Sequence, residues 1–120
     1  MRCARLLPVL FAAACAATGA ASHAADCAEI RFKRGERSAV VTDAAPADGS
    51  ACWRFRAGDG QAVRLSVTSE HDQVAFSVAG LVDDRADYAF TSKKQPYTVQ
   101  VHQTMRAVSP VPYSLTLSID

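Results

Sequence analysis

Ser69-Glu70-His71-Asp72 sets a hydroxyl, two carboxylates and an imidazole side by side, the residue types of nucleophilic hydrolysis. Their adjacency argues against that chemistry. A nucleophile, its base and the acid that orients the base converge from separate segments, whereas consecutive residues of an extended loop point in different directions. The four residues read as a polar turn, and the chain is not expected to be an enzyme. Downstream of residue 25 the histidines are His71 and His102, with no His-x-His or His-Glu-x-x-His spacing, so neither a metal site nor a cofactor is expected. Asp83, Asp84 and Asp87 offer hard oxygens, yet Asp-Asp-x-x-Asp lacks the glycine and spaced ligands of a calcium loop. They read as a solvated acidic turn, with contact to a cationic partner the functional alternative. His102, Thr104 and Arg106 end a strand and enter Ala107-Val108-Ser109-Pro110-Val111-Pro112, a loop stiffened by two prolines. A loop ordered before binding loses less entropy on binding and suits insertion into a cleft; the alternative is a plain connection whose prolines block edge pairing. Arg31, Lys33, Arg54, Arg56 and Arg64 form a basic stripe if their strands adjoin, and an ordinary solvated sheet face if they do not.

The N-terminus sets the compartment. Arg2 and Arg5 precede an apolar run from Leu6 to Ala17, and small residues follow at Ser22 to Ala25, the layout of a cleavable secretory signal. Cleavage after Ala24 places Ser22 and Ala24 where a signal peptidase reads small residues; cleavage after Ala25 would place His23 at the outer position. Residues 1–24 are thus the expected signal peptide and residues 25–120 one exported, periplasmic domain. Removing Arg2 and Arg5 leaves 11 Lys and Arg against 12 Asp and Glu, a formal charge of −1. An exported chain of that charge is a poor candidate for nucleic acid. No later apolar run reaches the roughly 20 residues that span a bilayer, so membrane insertion is not expected. Cys3 and Cys15 leave with the signal, and Cys27 and Cys52 remain as an even pair in an oxidising compartment, where a disulfide is expected.

The elements that must position these residues show a period of two. Ile30 and Phe32 alternate with Arg31 and Lys33; Trp53, Phe55 and Ala57 alternate with Arg54 and Arg56; Val63, Leu65 and Val67 alternate with Arg64 and Ser66. The rhythm returns in Val74–Val78, Tyr97–Val101 and Tyr113–Ile119, and a further strand is expected over Arg37–Thr42. Turns at Lys33-Arg34-Gly35-Glu36, Asp48-Gly49-Ser50 and Gly58-Asp59-Gly60 separate them, which predicts that the 37–42 and 53–57 strands are neighbours and likewise the 53–57 and 63–67 strands. Leu81–Lys94 lacks clean alternation outside Tyr88–Phe90 and reads as a long connection with at most one short strand. The prediction is an all-β fold, a single antiparallel β-sandwich or flattened barrel of seven or eight short strands.

The chain as a whole resembles the periplasmic inhibitors of goose-type (g-type) lysozyme and, more loosely, small secreted prepeptidase C-terminal-like β domains. The similarity runs along nearly all of residues 25–120. It is carried by Ile30-Arg31-Phe32-Lys33-Arg34-Gly35 with Ser38-Ala39, by Trp53-Arg54-Phe55-Arg56-Ala57-Gly58-Asp59-Gly60-Gln61-Ala62-Val63-Arg64-Leu65-Ser66-Val67, by Gly80-Leu81-Val82-Asp83-Asp84, and by the segments 97–104 and 113–119. What the resemblance implies is a β-sandwich whose loops plug a lysozyme's substrate cleft. A guanidinium or imidazole on an inserted loop would pair with the catalytic carboxylic acid there. The residues in the matching loops are Asp83 and Asp84, then His102, Thr104 and Arg106. The alternative is a non-catalytic carbohydrate- or peptidoglycan-binding or structural module of the envelope, as a monomer or homodimer; sugar binding would need Trp53 or Tyr88 exposed as a stacking platform, and the alternation turns Trp53 inward.

Overall fold

Alternating apolar residues make strands with one buried face, and the structure, a computed structural model, assembles them into two facing sheets. It describes residues 27–105 and 107–120. The expected signal peptide and Arg106 lie outside the described residues. In chain order the strands are β1 (Ala28–Glu29), β2 (Ser38–Ala45), β3 (Ala51–Ala57), β4 (Ala62–Ser69), β5 (Val74–Val78), β6 (Val82–Arg85), β7 (Asp87–Thr91), β8 (Gln95–Gln103) and β9 (Val111–Ile119). Sheet A has the order β2-β9-β4-β7 and sheet B the order β1-β3-β8-β5-β6. All pairings are antiparallel except that of β1 with β3. The sheets are separate layers and do not close into a barrel.

The inward residues are those of the predicted alternation. Phe55, Val63, Leu65, Phe76, Val78, Val99, Val101, Leu115 and Leu117 are each under 2% exposed. Burying a side chain of this size contributes about 1.5–3 kcal/mol, so these strand centres dominate the stability of the sandwich. Phe55 and Phe90 both pack on Tyr97, with ring centroids 5.3 and 5.2 Å away. Since Phe90 belongs to sheet A and Tyr97 to sheet B, that cluster joins the layers. The predicted disulfide is present between Cys27 and Cys52 and ties the start of the described chain to β3.

Three expectations are corrected. The turns at 48–50 and 58–60 do not close hairpins, because β2 pairs with β9, β3 with β1 and β8, and β4 with β9 and β7. Seven of the eight connections among the described strands cross between sheets, and only β5 and β6 form a hairpin within one sheet. The reason is visible at the β3–β4 turn. Gly60 N donates to Ser92 O and Ser92 N donates to Gln61 O, each at 2.8 Å, so this crossover bonds to the β7–β8 crossover and the two strands separate into different layers. The predicted Ile30–Phe32 strand is a two-residue strand at Ala28–Glu29; Ile30 is buried beyond its end, with its N–H on Arg54 O at 2.9 Å. The 81–94 segment holds two strands, β6 and β7, joined through Ala86 alone, which brings the count to nine. The irregularity that hid β6 is a register shift against β5 between Phe76 and Val78.

Candidate functional site

β8 carries its odd-numbered residues inward and its even-numbered residues outward, so His102 leaves the outer face of sheet B near the strand's end, opposite Ala75 of β5. The edge strand β6 brings Asp84 to the same place. His102 Nε2 lies 3.0 Å from Asp84 Oδ1 and 3.4 Å from Ser77 Oγ, and Asp84 N–H donates to that hydroxyl at 3.1 Å. Asp84 sits at φ 54°, a left-handed conformation that aspartate tolerates better than most residues. Two residues singled out separately in the sequence, Asp84 and His102, thus meet, the imidazole half-buried at 23% exposure and the carboxylate exposed. Asp83, beside them on β6, is exposed and belongs to a strand, not to the predicted loop.

The Ser77, His102 and Asp84 side chains together have the composition of a hydrolytic triad without its wiring. A triad places the hydroxyl on one imidazole nitrogen and the carboxylate on the other. Here serine and aspartate share Nε2, and Nδ1 faces the Gln103 carbonyl at 3.3 Å. No nitrogen is left to pass a proton from serine toward an orienting acid, so the arrangement serves to position residues. The Glu70–Asp72 segment is a single exposed 3-10 turn, as its sequence suggested. Among the described residues no three His, Cys, Asp or Glu side chains gather to hold a metal ion.

Gln103 follows with its side chain in the inward phase of β8, at the end of the sandwich. Its amide nitrogen donates to Ala45 O and Ser109 O, both at 3.0 Å, and its amide oxygen accepts from Ala107 N at 2.7 Å. One side chain therefore fastens the returning, 107–109 side of the 104–110 loop to the body at Ala45. Thr104 is spent on the same structure: its N–H and its hydroxyl both donate to Gln73 O, at 2.8 and 3.2 Å. Among the described residues of the loop, Met105 at 79% exposure and Val108, fully exposed, are large apolar side chains turned to solvent. Neither Gln103 nor Ser77 was singled out in the sequence. Gln103 had a signal, since it is the polar member of the series Tyr97, Val99, Val101, Gln103, and a polar residue in a core phase must find partners. Ser77 had none, being one of many outward polar residues.

Neither Trp53 nor Tyr88 offers an open stacking platform. Trp53 is half-buried, and its Nε1 donates to the Tyr113 hydroxyl at 2.8 Å. Burial raises the Tyr113 pKa above its ordinary value, the Trp53 hydrogen bond opposes that shift, and the nearby Asp43 carboxylate adds to it. Tyr88 is half-buried too, stacked on Phe90 at 5.7 Å, with the Arg85 guanidinium 5.8 Å from its ring centroid.

With this geometry established, comparison with known proteins bears on the fold. No protein-family model matches the chain, and no curated protein matches it by sequence. Solved structures do. The Aeromonas hydrophila PliG, a periplasmic lysozyme inhibitor of g-type lysozyme, superposes with a TM-score of 0.66 at 22% identity, over 78% of this chain and 96% of that one. This chain has the fold of the PliG proteins. The Salmonella Typhimurium PliG gives 0.65 at 20% identity, over 79% and 98%. A pre-peptidase C-terminal domain of a Bacillus anthracis collagenase gives 0.58 at 12% identity, over 78% and 94%. Both groups were anticipated from the sequence segments quoted above.

Proposed function

We propose that the chain is an exported, periplasmic inhibitor of lysozyme, of the g-type, whose first 24 residues direct its export and whose remainder is the inhibitory β-sandwich. It acts by occlusion and carries out no reaction of its own. The observation that supports this most directly is the 104–110 loop: with Ala107 and Ser109 bonded to the Gln103 amide, and that amide to Ala45 O, its returning side is ordered in the free protein and loses little entropy on entering a cleft. Arg106 lies within that loop, and Asp83, Asp84, His102 and Thr104 are assigned to the rim around it. In this reading Arg106 meets the carboxylic acid of the enzyme's cleft, and Met105 and Val108 cover the apolar wall beside it.

The test is a cell-wall lysis assay in which the purified protein is titrated separately against goose-type, chicken-type and invertebrate-type lysozyme. Stoichiometric inhibition of the goose-type enzyme is the expected result. Inhibition of another type alone would move the target, and inhibition of none would remove the proposal.

A further inference from the structure

Positive charge gathers at one end of sheet B. Because β1 runs parallel to β3, with Glu29 beside Arg54, the chain leaving β1 travels toward the C-terminal end of β3, held there by the Ile30–Arg54 backbone bond. Arg31, Lys33 and Arg34 are thereby carried to the end where Arg54 and Arg56 stand on the outer face. β8 begins at that same end, with Gln95 opposite Ala57, and Lys94 N–H donates to Asp59 Oδ1 at 2.7 Å, which adds Lys93 and Lys94. Seven cations face three carboxylates, Glu29, Glu36 and Asp59, a local excess of four in a chain with a formal charge of only +1.

These cations are unpaired. The ion pairs among the described residues use Arg37, Arg64, His71 and His102, and none of the seven takes part. Six are exposed and Arg54 is half-buried. Arg64, grouped with them in the sequence, is on sheet A and is engaged by Asp87 at 2.6 Å. Clustered like charges repel one another, and an opposed negative surface relieves that repulsion. The shape selects among anions. The cations are spread over one strand and two loops, well beyond the recess of about 310 Å³ that only Arg54 and Arg56 among them line, with Glu29 and Pro96. With strands about 4.8 Å apart and same-face residues about 7 Å apart along a strand, the corner matches a plane of many phosphates better than one enclosed anion.

We propose that this end of the molecule docks on the headgroups of anionic phospholipid, which leaves the 104–110 loop, at the opposite end of β8, pointing away from the bilayer. The inference stands apart from the inhibitor reading. Its test is co-sedimentation of the purified protein with vesicles of one part phosphatidylglycerol to two parts phosphatidylcholine. Binding is expected at about 20 mM salt and release at about 300 mM, where the screening length has fallen from roughly 20 Å to roughly 6 Å. Vesicles of phosphatidylcholine alone should not bind. The R54E/R56E variant should lose at least tenfold in partitioning, and K93E/K94E, whose side chains are exposed and outside the strands, should lose several-fold, with circular dichroism and the urea midpoint checking that each variant is folded. H102Q should sediment like the parent protein. Failure to bind at low salt, or binding unchanged in both charge-reversed variants, would overturn the proposal, and so would capture by soluble polyglutamate in preference to vesicles.

Discussion

Gln103 concentrates more of the loop's structure than any other single residue. Its amide satisfies two carbonyls and one N–H, the most distant of them, Ala45 O, 58 positions away in sequence. Gln103→Ala should cost about 1–3 kcal/mol in urea unfolding, since three hydrogen bonds at a half-buried position are lost together. The same variant should speed amide exchange at Ala107 while leaving β8 protected, and should weaken lysozyme inhibition if the loop is the inhibitory element. Tyr113 supplies a pH dependence. Its hydroxyl has a folded-state pKa raised mainly by burial, so the folded protein holds that proton more tightly than the unfolded chain. The resulting stability is complete below the ordinary tyrosine value of about 10 and is lost as pH rises through the folded value. Urea midpoints measured from neutral to strongly alkaline pH should fall less steeply in Tyr113→Phe than in the parent.

At the scale of elements, β6 is held to the molecule by its register-shifted pairing with β5, by Val82 packed against the core and by the Asp84 contacts. A β-branched residue at position 84 would meet the left-handed backbone at a cost of about 1–2 kcal/mol, and glycine would not. Asp84→Val should therefore be less stable than Asp84→Gly, although both lose the carboxylate on His102; equal stabilities would show that the backbone at 84 relaxes. Asp87, just beyond β6, pairs with Arg64 in a two-bond contact that lowers the aspartate pKa and raises that of the arginine, with the side-chain hydrogen bond as the main cause for both. The pair is fully exposed, so its loss should change stability little.

Across the whole molecule the Cys27–Cys52 bond closes a loop with a sequence separation of 25 and fastens β1, a strand of two residues. Replacing both cysteines with serine should lower stability by roughly 3–4 kcal/mol on the chain-entropy estimate. It should also release Ile30 from the core, read as a drop in melting temperature together with rapid exchange at the Ile30 amide.

Sequence by itself determined most of the strands, their inward faces and the class of fold, though not β1 or β6, because a period of two with one apolar face is a local property that survives in any arrangement of layers. It also determined the cysteine pair and the polar character of residues 69–72. Tertiary structure alone decided which strands are neighbours. Turn residues reverse the chain, but whether the next strand pairs with the last or crosses to the facing sheet depends on contacts such as Ser92 with the 58–61 turn, which lie far apart in sequence. For the same reason the sequence pointed to Asp84 and His102 separately, and only the pairing of β6 and β8 on either side of β5 brought them within 3.0 Å of each other. The sorting of charge was hidden likewise: side-chain phase placed Arg54, Arg56 and Arg64 on outer faces, but not on which sheet.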